Sequence, residues 1–147
     1  MTNKIFPCLW FDGNAKEAAN FYCTVFKDAV ITAENAIVVM FETNKQKFMC
    51  LNGGPMYKFN EAVSFVVNCE TQAEIDYYWD YFTKNGGQES MCGWCKDKFG
   101  VSWQIVPTIL GELMVDPQKQ QKVIDVFLQM KKFDIEKLIN ANDKIIK

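Results

Sequence analysis

The chain has 147 residues, enough for one domain with a full core or two small similar halves sharing one; 49% are hydrophobic and 14% aromatic, a globular composition. A net charge of -2 gives no concentrated basic face for phosphates, and no apolar run reaches the roughly 18 residues of a membrane span, so neither nucleic acid nor membrane is an expected partner. Histidine is absent, which excludes Ser-His-Asp triads, Cys-His pairs and imidazole metal ligands.

The N-terminus shows no positively charged region followed by a long apolar run, so no secretion signal is expected and the location is expected to be cytoplasmic. The six cysteines are then expected to be reduced core thiols rather than three disulfides. Cys8, Cys50 and Cys69 each lie in an apolar strand-like run, where a small hydrophobe fits.

In chain order, Ile5 to Phe11 has the length and apolarity of a strand, with Pro7 marking an edge or irregularity because it lacks an amide donor. Asp12-Gly13 turns the chain, and Asn14 with Glu17 forms a helix cap and its return partner. Ala15, Ala18, Ala19, Tyr22 and Phe26 then share one face of an amphipathic helix. Three strands follow at about Ala29 to Ala33, Ile37 to Glu42 and Lys47 to Leu51, the last two joined at Asn44-Lys45. Asn52-Gly53-Gly54-Pro55 is a loop and a natural joint.

The same order then returns. Ala62 to Cys69 reads as a strand, Thr71 and Glu74 as a capping box, and Ile75, Tyr78, Trp79 and Phe82 as one helix face ended by Asn85-Gly86-Gly87. Strands are expected at Glu89 to Cys95 and Val101 to Val106. A shift of about 56 residues aligns Phe11 with Val67, Ala19 with Ile75, Tyr22 with Tyr78 and Phe26 with Phe82, the signature of a degenerate duplication. Past Pro107, Asp116-Pro117 starts a helix with Val123, Phe127 and Met130 in its stripe, widened by Ile124 and Leu128. Asp134 starts a last short helix carrying Ile135, Leu138 and Ile139. This helical part is expected to pack on the sheet or on a second copy of the chain.

The segment from Cys92 to Pro107 carries the most information. It reads as a hairpin with large side chains, Trp94, Phe99 and Trp103, about a charged turn at Lys96-Asp97-Lys98. Its Cys92-x-x-Cys95 pair has three readings. A zinc site lacks a second pair, and a redox motif lacks the helix N-terminus that lowers a thiol pKa; unrelated thiols on a strand is the third. Gln104 alternates with Trp103 and Ile105 and so faces the other way, either as a ligand contact or in a core hydrogen-bond network. Trp10, Trp94 and Phe99 suit an apolar pocket or ordinary core. Asp12 suits an acid-base group or, beside Gly13 and Asn14, a turn.

Three groups of residues together resemble one family. They are Phe11-Asp12-Gly13-Asn14-Ala15 with Glu17-Ala18 and Phe21-Tyr22; Cys92-Gly93-Trp94; and Asp97-Lys98-Phe99-Gly100-Val101-Ser102-Trp103-Gln104-Ile105-Val106-Pro107. The chain looks like a PhnB-like member of the vicinal-oxygen-chelate (glyoxalase, bleomycin-resistance and dioxygenase) superfamily, a group often labelled 3-demethylubiquinone methyltransferase. The C-terminal Met130-Lys131-Lys132 with Asp134-Ile135 also resembles the tail of that group. The resemblance implies an α+β fold: one domain made of two βαβββ modules, residues 4–55 and 61–107, with C-terminal helices over 108–141. It implies a cupped site and a homodimer.

Active members of the superfamily hold a divalent metal in the cup with His, Gln or Glu. Here the glutamate position of the last strand resembles Gln104, while Pro7, Cys8, Val63 and Ser64 stand on the first strands; one glutamine cannot supply the four or so donors a cation needs. The expectation is therefore no metal and no other cofactor, and a small organic ligand touching Gln104, Cys92, Trp94 and Trp10, with no catalytic residue assigned. The alternative is a superfamily enzyme, a lyase, isomerase or dioxygenase, using a metal or a Cys92 and Gln104 site. Methyl transfer is not expected, because the chain has no glycine-rich strand-to-helix turn followed by an acidic residue on the next strand.

Overall fold

Each half of the chain lays one helix over one face of a four-stranded sheet. A computed structural model describes residues 3–143, and the chain divides into two units, Met1–Phe59 and Asn60–Lys147.

In the first unit β1 (Cys8–Phe11) leads to α1 (Ala15–Val25), then β2 (Val30–Glu34), β3 (Val38–Thr43) and β4 (Gln46–Asn52). The sheet order is β1-β4-β3-β2; β1 runs parallel to β4 and the other pairs are antiparallel. Strand alternation sends Leu9, Phe11, Val39, Phe41, Phe48 and Cys50 to the helix side, where all are buried. Ala15, Ala18 and Ala19 are fully buried on α1, and their small side chains let the helix lie close to the sheet. Tyr22 stacks on Phe41, with ring centroids 5.7 Å apart, and Phe41 on Phe48 at 5.0 Å. The turn at Asn44 and Lys45, with φ of 50° and 63°, has the left-handed pair that joins tight hairpins. Asp28 clamps it, accepting from Thr43 Oγ1 at 2.5 Å and Asn44 N at 2.7 Å.

Asn14 precedes α1 as expected but makes no side-chain cap. The helix is capped instead by Asn52, whose Oδ1 accepts from Ala15 N at 2.8 Å. Parallel pairing explains the exchange: Phe11 stands opposite Asn52, so the end of β4 arrives beside the start of the helix.

The second unit repeats the plan with β5 (Ser64–Cys69), α2 (Gln72–Lys84), β6 (Gln88–Glu89), β7 (Trp94–Lys96) and β8 (Ser102–Pro107), in the order β5-β8-β7-β6. Thr71 Oγ1 accepts from Glu74 N at 3.1 Å, as a capping residue should, while Glu74 returns to the amide of Glu70. Trp79 and Phe82 are buried, and Phe82 stacks on Trp103 at 4.7 Å.

The strand expected over Glu89 to Cys95 is broken. Residues 90–93 form a turn in which Cys92 and Gly93 both take left-handed φ, 57° and 80°. The turn is held from the C-terminal side: Cys92 N and Gly93 N donate to Met130 O and Lys131 O, each at 2.8 Å, and Ile105 N donates to Gly93 O at 2.8 Å.

Beyond β8 come α3 (Ile109–Leu113), which the sequence reading did not anticipate, then α4 (Pro117–Phe127) and α5 (Ile135–Asp143). Asp116 caps α4 by accepting from Gln118 N at 2.9 Å. Val123 is fully buried, but Leu128 is half exposed and does not widen the buried stripe. The connection to α5 docks on α2 through Gln72, whose Nε2 donates to Phe133 O at 3.0 Å and whose Oε1 accepts from Ile135 N at 2.9 Å. Lys132 Nζ adds an ion pair to Asp76 at 2.8 Å.

Candidate functional site

Each sheet has one face under its helix and one face open. On β8 the buried Trp103, Ile105 and Pro107 alternate with Ser102, Gln104 and Val106, which share the open face. The register extends this face across three strands. Ser64, Ser102 and Lys96 form one row; Val66, Gln104 and Trp94 form the next.

Gln104 Nε2 donates to Ser64 Oγ at 2.9 Å, so the amide is tied into the face. Lys96 Nζ lies 3.2 Å from a Glu61 carboxylate oxygen, and its hydrogen bond to Glu61 holds that carboxyl below its usual range. Ser102 is 1% exposed, and its hydroxyl is a buried side-chain oxygen with no hydrogen-bond partner among the described residues. Beside these groups is a cavity of about 130 Å³, lined by Ser102, Lys96, Glu61, Trp94, Glu89 and Gln88 among others.

The open face of the first unit is more apolar. Cys8, Met49 and Met40 form one row across β1, β4 and β3, and Trp10, Leu51 and Val38 form the next. Trp10 is fixed by the loop that follows β4. Its Nε1 donates to Gly54 O at 2.8 Å, and Tyr57 meets its ring edge-on at 4.9 Å. A Cβ on Gly53 would lie 2.3 Å from the indole, so only glycine allows this approach. With its N–H committed, Trp10 has only its ring to offer a ligand.

Of the four residues singled out from the sequence, Gln104 and Trp94 are register partners on one face. Trp10 stands on the open face of the other unit. Cys92 lies in the left-handed turn rather than on a strand, so strand alternation does not place it. Its C-x-x-C mate Cys95 is 1% exposed, and burial pushes that thiol up to about 12, where it stays protonated and unreactive. Cys50 and Cys69 are likewise pushed up to about 12 by burial. Asp12 is exposed in the turn before α1, and Phe99 sits in the hairpin turn with its amide donating to Asp97 Oδ1 at 2.9 Å.

Sequence reasoning missed Ser102, Lys96 and the role of Ser64 as the partner of Gln104. Period-two alternation back from Gln104 picks out Ser102; finding Lys96 needs the hairpin register.

A model of the family described as 3-demethylubiquinone-9 3-methyltransferase matches residues 3–106. A PhnB protein from Bacillus cereus is 33% identical, with 72% of this chain covering 100% of that one at a TM-score of 0.66. The chain belongs to this PhnB-like family. It is thereby a member of the glyoxalase/bleomycin-resistance superfamily, with the α+β pair of βαβββ modules. A Pseudomonas aeruginosa protein (21% identity, 72% and 98% of the two chains, TM-score 0.58) shares the fold. So does the fosfomycin resistance protein FosX of Listeria monocytogenes (9%, 72% and 91%, TM-score 0.56). A comparison with curated proteins gives no match.

The divalent metal common in the superfamily does not fit the donors of this PhnB-like chain. The open-face rows that cross β1 and β5 present Cys8, Met49, Trp10, Leu51, Ser64, Ser102 and Gln104, with no carboxylate or imidazole among them. Among the described residues no three His, Cys, Asp or Glu side chains stand together as a metal site. Among the described residues, too, no helix is long and apolar enough to cross a membrane.

Proposed function

We propose that this PhnB-like protein binds a small, partly apolar or aromatic organic molecule on an open sheet face, without a metal. The observation that carries this reading is the composition of the open faces. Indole, thioether and aliphatic groups at Trp10, Met49, Leu51, Val38 and Trp94 remain only half-buried, interrupted by a few polar groups that are themselves held in place. The amide of Gln104, held by Ser64, supports the same reading as a fixed polar contact beside the apolar groups.

A thermal-shift screen of aromatic and quinone-like compounds tests it. A ligand at a hundred times its Kd adds about 2.7 kcal/mol to stability, which raises Tm by several degrees. If no compound in the panel moves the midpoint, the binding reading fails. Metal analysis of the purified protein tests the other half, because stoichiometric, tightly held zinc, manganese, nickel or iron would overturn binding without a metal.

The working form is proposed to be a homodimer in the cytoplasm. The superfamily resemblance supports the first, and six free thiols suit a reducing compartment. A 17.0 kDa species in sedimentation at micromolar concentration would refute the dimer.

A further inference from the structure

We infer that the row Ser64, Ser102 and Lys96 is a seat for the oxyanion end of the ligand, and that the ligand is a small aromatic carboxylic acid. This deepens the binding reading above and rests on it.

Three strands bring the row together. Ser64 and Lys96 both stand opposite Ser102, so three side chains line up across one face with neighbours about 5 Å apart. All three can donate. Ser64 Oγ accepts from Gln104, which leaves its own proton to give, and Lys96 has three N–H groups of which Glu61 occupies one. Ser102 is the decisive member. A hydroxyl on a residue buried to 1% exposure, with no partner among the described residues, is costly to leave unmade, and Ser102 lines the cavity.

Two acidic residues line the cavity, so an incoming carboxylate has to displace one of them. Glu61 precedes β5 in a loop, with its side chain 62% exposed, so it can leave Lys96 without disturbing any strand. Its carboxylate occupies the position that a ligand carboxylate would take. Glu89 is already engaged, accepting from Trp79 Nε1 at 2.9 Å and facing Lys131 Nζ at 4.0 Å.

The aromatic part of the ligand follows from the next row. Val66, Gln104 and Trp94 lie two residues further along the strands, about 7 Å away, roughly the length of a carboxylate joined to a benzene ring. Of the two rows, Ser102, Lys96 and Trp94 line the cavity, whose volume of about 130 Å³ is close to the ~150 Å³ that encloses benzene. The headgroup would sit on the donors with the ring against the indole.

Titration of the full chain with benzoate and with benzyl alcohol, followed by amide chemical shifts and calorimetry, tests the seat. Benzoate should bind roughly tenfold more tightly than the alcohol, since charge-assisted hydrogen bonds discriminate by about that factor. Lys96→Met should erase the preference, Ser102→Ala should weaken benzoate without lowering Tm, and Glu61→Gln should strengthen it. Equal affinities for the two probes, or an unchanged benzoate affinity in Lys96→Met, would overturn the seat while leaving small-molecule binding intact. Tighter binding of phenyl phosphate than of benzoate would overturn the carboxylate assignment. Binding of neither probe would overturn the seat; only a whole panel without a thermal shift would take the broader reading with it.

Discussion

Asp97 and Trp103 are joined by a hydrogen bond at the base of the hairpin, from indole Nε1 to Oδ2 at 2.9 Å, with the carboxylate 3% exposed and the indole 4%. The other oxygen, Oδ1, accepts from Phe99 N at 2.9 Å and Val101 N at 3.1 Å. One side chain therefore closes the turn and ties it to the core, where Trp103 stacks on Phe82.

Replacing Asp97 with alanine would strand those donors in a buried place. The expected loss is about 3–5 kcal/mol, above the usual range for a point change, because unsatisfied buried donors cost about 1–3 kcal/mol each. Urea unfolding measures it; a loss under 1 kcal/mol would mean that the clamp is not structural.

Gly93 should not accept a side chain. A Cβ there would lie 2.4 Å from the Phe133 ring and 2.9 Å from Ile105 O, at a φ of 80°. Gly93→Ala is expected to cost about 2–4 kcal/mol from overpacking and left-handed strain together. Adding Phe133→Leu should recover part of it, which a double-mutant cycle would report as a positive coupling.

Capping of α1 separates two asparagines. Asn52→Ala should destabilise by about 1 kcal/mol, the usual cost of a lost cap, whereas Asn14→Ala should change little. The reverse order in thermal melts would contradict the geometry.

Asp28 gives the first unit an acid dependence. Its hydrogen bonds from Thr43 and then from Asn44 hold its carboxyl below the usual range. A depressed folded-state pKa means that the contribution is present above the unfolded value of about 3.9 and is lost as pH falls through the folded one. Asp28→Asn should therefore lower Tm at pH 7, and the gap from the native protein should close below about pH 4. A gap that is constant with pH would point to lost packing instead.

How far these features could be read from sequence depended on range. The duplicated order of elements, the α1 face and the side of β8 that carries Gln104 follow from local periodicity, and all appear in the fold. The α1 cap did not, because Asn52 reaches it across 37 positions of chain. By sequence Lys96 belongs to a charged turn, yet it is the last residue of β7, and the turn begins at a buried aspartate. Charge suggested solvent there, whereas three converging donors keep Asp97 inside. The break at 90–93 was equally hidden, since nothing about Cys92 marks a left-handed backbone.

The turn at Cys92 and Gly93 sets a limit on where the protein can be cut. The family match ends at residue 106, yet the acceptors for both turn amides are carbonyls at 130 and 131. A fragment trimmed to the matched region would keep the second sheet up to the last residue of β8 and leave two amides of its signature turn without their acceptors. The matched region is thus not self-sufficient in this chain: the tail is the back wall of the motif, and expression boundaries should be drawn beyond Ile135.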